Sequence, residues 1–151
     1  MTTTISSFDR ALLASLCSLS SAETGIIVFY TGPSIPDYAT EMLRHPAPSV
    51  GHPVNDRVGL VLQEALEANP SVHDGAIMCG RLSCGDVYRI TGWSYRLYPP
   101  PCHGVLIPNK GSAFNSGLAM SAVTTVDRVL YWSSGTGSCF EAGSILAPAN
   151  K

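Results

Sequence analysis

Phe8, Leu12, Leu16 and Leu19 return at spacings of three and four, the period of one helix face, and Ser6 or Ser7 stands where an N-cap belongs. A first helix ending near Ser20 and Ser21 is predicted. Residues 25–30, Gly-Ile-Ile-Val-Phe-Tyr, abandon that period for an almost wholly apolar run rich in β-branched and aromatic side chains. Such a run reads as a strand covered on both faces, hence a central one. Residues 31–53 then carry five of the eleven prolines and predict a surface excursion with at most one short helix, over 37–44.

The helical period resumes with Val58, Val61, Leu62, Ala65 and Leu66 behind a capping Asn55-Asp56, and Asn69-Pro70 stops it. After His73-Asp74, three short strands are predicted at 76–79, 86–91 and 104–107, with Gly85 at a turn and Pro99-Pro100-Pro101 separating the last two. Residues 114–122 have helical character with small side chains. Residues 129–132 read as another buried strand, with 139–141 placed to pair with it across Ser133-Ser134-Gly135-Thr136-Gly137. This order predicts an α/β (α+β) fold over 1–151, a single domain with a mixed central β-sheet flanked by helices. Its core candidates are Leu12, Leu16, Ile27, Phe29, Val61, Leu62, Ile77, Val105, Leu118 and Leu130.

Composition narrows the setting. The 151 residues suit one domain, and no apolar run approaches the roughly 20 residues that cross a bilayer. Only 13% of residues are charged, against about 25% in an average domain. So sparse a charge leaves a homo-oligomer or an effector protein partner as the expected companion, because interface cores are depleted of charge. Nine Lys and Arg against eleven Asp and Glu, a net charge of −2 and no basic run argue against long nucleic acid. Residues 1–7 hold no positive n-region before an apolar stretch, which makes the cytoplasm the expected location. Cys17, Cys79, Cys84, Cys102 and Cys139 form no Cys-x-x-Cys pair and are expected to be reduced.

Several familiar chemistries lack their residues. Asn109-Lys110-Gly111-Ser112 has the Lys-Gly order of a Walker loop reversed, and no upstream glycine stands at the required spacing. The spacing of Cys79, Cys84, Cys102 and His103 matches no common zinc pattern, and no Gly-x-Ser-x-Gly elbow exists. His73-Asp74-Gly75-Ala76 differs, because an imidazole and a carboxylate precede a strand beside a glycine that permits close backbone approach. Taken alone, Asp-Gly is a common turn dipeptide. As a corner, it can hold a ligand hydroxyl or a divalent metal.

Its context is a resemblance spanning residues 8 to 145. The stretch 22–28, the helix from Asp56 and then Asn69-Pro70-Ser71-Val72-His73-Asp74-Gly75-Ala76-Ile77 resemble the diadenylate-cyclase domain. In that family a Gly-Ala-Leu-Ile-Val strand precedes an Asn-x-Pro-Leu-His-Asp-Gly-Ala segment. Residues 111–121 occupy the place of the family's Gly-Thr-Arg-His-Arg-Ala-Ala-Leu-Gly-Leu-Ser. Residues 129–132 with Ser133-Ser134-Gly135-Thr136-Gly137 parallel its apolar strand and Ser-Glu-Glu-Thr-Gly turn.

The resemblance implies a nucleotide ligand and, if the chain is active, Asp74 as the catalytic residue that assists a ribose 3′-hydroxyl with Mg²⁺ or Mn²⁺, His73 and Asp74 being the metal ligands. It also implies Asp74, Gly75, Ala76, Lys110, Ser112, Asn115, Ser116, Ser133 and Thr136 as nucleotide-binding residues. The departure lies at Ala113-Phe114-Asn115, where the family has Arg-His-Arg, and at Gly135, where it has a glutamate. A triphosphate carries three to four negative charges best fixed by forked guanidinium groups. Lys110 offers one point charge in their stead. Retention of the ribose half and loss of the triphosphate half imply a nucleotide or second-messenger sensor, with a divergent cyclase or nucleotidyltransferase as the alternative.

Overall fold

The computed structural model describes residues 4–19, 24–100, 111–133 and 135–146. Helix α1 (Ser7–Leu19) starts where Ser6 Oγ accepts the Asp9 amide at 3.2 Å, so Ser6 is the cap. Strand β1 (Thr24–Thr31) is followed by β2 (Ala39–Glu41), α2 (Val58–Ala68), a 3₁₀ turn (Pro70–His73), β3 (Ala76–Arg81) and β4 (Arg89–Leu97). Then come α3 (Ser112–Met120), β5 (Val126–Ser133), β6 (Thr136–Glu141) and β7 (Ser144–Ile145). The seven strands form one sheet in the order β2-β4-β3-β1-β5-β6-β7. β1 lies at its centre, parallel to β3 and antiparallel to β5, which makes the sheet mixed. This is an α+β fold of seven strands and three helices among the described residues.

The alternation of β1 divides the core in two. Ile27 and Phe29 pack with Leu12, Leu13 and Leu16 of α1 and with Val58 and Leu62 of α2. Ile26, Val28 and Tyr30 pack on the other face with Phe114 and Leu118 of α3. Eight of the ten expected core residues pack here: Leu12, Leu16, Ile27, Phe29, Leu62, Ile77, Leu118 and Leu130 are buried. Val61 is only partly buried, and Val105 lies outside the described residues. On α1 the buried line is Asp9, Leu12, Leu13 and Leu16, while Phe8 turns outward. The ion pair between Asp9 and Arg128 sets that rotation.

Several sequence expectations are corrected. Residues 37–44 contain no helix; Ala39, Thr40 and Glu41 pair with Leu97, Arg96 and Tyr95. The β4 edge offers backbone groups that must be satisfied, and pairing with it holds this segment extended and leaves Leu43 exposed. The strand expected over 86–91 begins only at Arg89 and runs on to Leu97, leaving Val87 exposed. Its alternation is hidden by a register shift against β3 and by Ser94 at φ +56, which put Ile90 and Trp93 in the same core cluster. The third helix starts at Ser112 rather than 114. Asn55 does not cap α2 directly but accepts the Arg57 amide at 2.9 Å, one turn earlier. The strand expected at 104–107 lies outside the described residues. Among the described residues no helix is long and apolar enough to cross a membrane.

Cys17, Cys79, Cys84 and Cys139 carry free thiols. Burial pushes Cys79 and Cys139 up to about 12, and burial followed by the hydrogen bond and charge of Asp127 pushes Tyr88 up to about 12. In the unfolded chain thiols ionise near pH ~8.5 and tyrosine near ~10. The native state therefore keeps protons that the unfolded state releases. This stabilisation is complete below pH ~8.5 and is lost as pH rises toward about 12. Urea midpoints are expected to fall steadily between pH 8.5 and 10. A Cys79→Ala/Cys139→Ala variant should show a flatter decline, and identical slopes for the two proteins would refute this account.

Candidate functional site

A cavity of about 590 Å³ opens at the end of the sheet where β1 and β3 begin. Its floor is Thr24, Gly25 and Ile26 of β1 with Ala76 of β3; Met42, Asp74 and Gly75 form one side, and Tyr95, Arg96 and Leu97 of β4 another. Ser112, Ala113 and Ser116 of α3 close it. The volume falls within the roughly 300–1,000 Å³ typical of small-molecule sites.

The corner at Asp74 is built locally. Asn69 ends α2 and its side-chain oxygen accepts the Ser71 amide at 3.2 Å, while Pro70 starts the 3₁₀ turn. That turn ends at Asp74 in extended backbone, and Gly75 at φ +95 swings the chain into β3. A Cβ at Gly75 would meet the Ser94 backbone and Met42 Cε at 2.8 and 2.7 Å, so the close approach requires glycine. Asp74 reaches solvent, and its Oδ2 lies 2.9 Å from Arg44 Nη2. Arg44 also directs Nε toward Ser94 Oγ at 3.4 Å.

Gly111, at φ +97, turns the chain into α3 and sets Ser112 in its first turn. Of residues 113 and 114, Ala113 lines the cavity, whereas Phe114 is buried edge-on against Tyr131 and Phe140. Asn115 does not line the cavity; its side-chain oxygen is buried without a hydrogen-bond partner. Ser133 stands just behind the wall, its hydroxyl 2.8 Å from that of Thr24. Thr136 is exposed opposite Ser133 at the start of β6 and is not part of the lining. Lys110 and the side chain of His73 lie outside the described part.

The structure thus brings Asp74, Gly75, Ala76, Ser112 and Ser116 together and leaves Asn115, Ser133 and Thr136 off the lining. Sequence reasoning missed Arg44, Met42, Tyr95, Arg96 and Leu97. The alternating Tyr-Arg-Leu of 95–97 is a strand signal, yet nothing local assigns Arg44. Burial, then the charges of Glu41 and Tyr30, push the pKa of the Tyr95 phenol upward, which favours the neutral hydroxyl. Among the described lining residues Asp74 is the one acid and Arg96 the one base. No three His, Cys, Asp or Glu side chains converge among the described residues, and the single carboxylate in the cavity is already paired.

No family model and no curated protein matches the chain. A solved structure described as a hypothetical membrane-spanning protein from Bacillus cereus superposes with a TM-score of 0.62 at 16% identity, covering 95% of this chain. The chain spans 63% of that protein's length. DacA from Staphylococcus aureus, a diadenylate cyclase solved as an N166C/T172C double mutant, superposes with a TM-score of 0.51 at 16% identity, covering 93% of this chain and 87% of DacA. The fold is therefore similar to that of a diadenylate cyclase.

Proposed function

We propose that this domain binds a nucleotide or nucleotide-derived second messenger and acts as a sensor, without joining two nucleotides. The observation that carries the reading is the convergence of Asp74-Gly75-Ala76 with Ser112 and Ser116 on one cavity whose α3 wall offers no cation. Asp74 would accept a sugar hydroxyl, with Gly75 and Ala76 against the ring. Ile26, Met42 and Leu97 supply apolar surface for a base. Ser112 and Ser116, with amides of the first turn of α3, would meet a phosphate. Among the described residues, Ala113-Phe114-Asn115 adds no charge against a triphosphate, and Phe114 is committed to the core. An effector, either a protein partner or a second copy of the chain, would read the bound state.

The test is a thermal-shift screen of mono-, tri- and cyclic nucleotides, in which a ligand at 100 times Kd adds about 2.7 kcal/mol of stability. Asp74→Ala is expected to weaken the best ligand at least tenfold with the fold intact. Ala113→Arg should raise affinity for triphosphates, whereas Asn115→Arg should not, because position 115 is off the lining. Parent-like binding by Asp74→Ala would reduce the corner to a turn. Metal-dependent cyclic dinucleotide from the unmodified chain, incubated with ATP or GTP and Mg²⁺ or Mn²⁺, would replace the sensor by a divergent cyclase or nucleotidyltransferase using Lys110.

A further inference from the structure

We infer that Arg44 is a built-in counter-ion that occupies Asp74 and excludes a divalent cation from this corner, so that the site works with an internal guanidinium where a metal-dependent site would hold an ion. The pair is held in place by its surroundings. Arg44 Nη2 lies 2.9 Å from Asp74 Oδ2, and the Arg44 side chain is 24% exposed against 69% for Asp74, so the cation is the better anchored partner. Its Nε faces Ser94 Oγ at 3.4 Å, and that hydroxyl is itself fixed by donating to the Val72 carbonyl at 3.2 Å.

The backbone that presents Arg44 is fastened on both sides. Met42 donates its amide to the Ser94 carbonyl at 2.8 Å, just beyond the β2 pairing with β4. Farther along, Asn69 Nδ2 donates to the Pro46 carbonyl at 2.9 Å, fastening the segment to the turn that carries Asp74. Arg44 is therefore placed by the same elements that build the Asp74 corner. A guanidinium cannot lose its charge at ordinary pH and cannot ligate a metal. A divalent ion approaching Asp74 would meet a fixed positive charge and one carboxylate whose oxygen is already engaged.

This inference concerns the metal alone and is tested without nucleotide, so its failure and that of the sensor reading are separable. Mn²⁺ is titrated into the full chain and free Mn²⁺ is followed by electron paramagnetic resonance. The parent is expected to bind Mn²⁺ no more tightly than Asp74→Asn does. Arg44→Gln should bind it at least tenfold more tightly than the parent, and Arg44→Gln/Asp74→Asn should lose that gain. Arg44→Lys, which keeps the charge, should behave as the parent. Thermal midpoints establish folding, with Arg44→Ala as a second variant lacking the charge. Mn²⁺ binding by the parent that Asp74→Asn abolishes would overturn the inference, as would folded Arg44→Gln and Arg44→Ala proteins that gain no Mn²⁺ binding.

Discussion

Replacing Arg128 with alanine is expected to destabilise the domain by about 3–5 kcal/mol, the usual cost of stranding one partner of a buried ion pair. The Asp9 side chain is only 3% exposed, and both of its oxygens are engaged: Nε to Oδ2 at 2.6 Å and Nη2 to Oδ1 at 3.0 Å. The guanidinium also lies 4.1 Å from the centre of the Phe29 ring, so truncation removes packing along with charge. Asp9 sits in the first turn of α1, where the helix dipole offsets only part of the loss. Urea denaturation measures the effect. A double variant, Asp9→Leu/Arg128→Met, should be more stable than Arg128→Ala alone, because no charge is then left buried. A cost below about 1 kcal/mol for Arg128→Ala would mean that Asp9 escapes to water with the start of α1.

Gly25→Val should cost a similar amount, about 3–5 kcal/mol, by expelling an indole. Gly25 lies opposite Trp132 in the β1–β5 register, and the ring covers the glycine so closely that any Cβ would overlap it. Trp132 is buried in the cluster beneath α1 and α2 and cannot yield without leaving that core. Expulsion should shift tryptophan emission to the red and diminish the near-ultraviolet circular dichroism. Unchanged spectra and an unchanged urea midpoint would show that the two strands can slide apart to make room. Because Gly25 also floors the cavity, the same substitution is expected to abolish ligand stabilisation even where the chain remains folded.

The elements legible in the chain are those whose burial is written into consecutive residues. Residues 25–30 are apolar on both faces because helices cover both faces of β1, and Val58, Leu62 and Ala65 recur because α2 lays one side on the sheet. The Asp74-Gly75-Ala76 corner was legible for a related reason: a 3₁₀ turn, a left-handed glycine and a strand start are local conformations that local residue types select. Ser112 and Ser116 were implied by the resemblance rather than by periodicity, and α3 sets them about one turn apart.

What tertiary structure alone decided are the partnerships between distant residues. Asp9 looks like a solvent-facing polar position until Arg128, far along the chain, is brought over it by β5. β4 gave a weak signal because a shifted register moves its inward residues out of strict alternation, and β2 gave almost none because it exists only through pairing with β4. Arg44 depends on both: its cation reaches Asp74 only after β2 has joined that edge and Ser94 has turned. Hydrophobic periodicity reports how each segment meets the core, a property of neighbours in sequence. The charge that faces Asp74 was set by strand order at the sheet edge, which local periodicity does not encode.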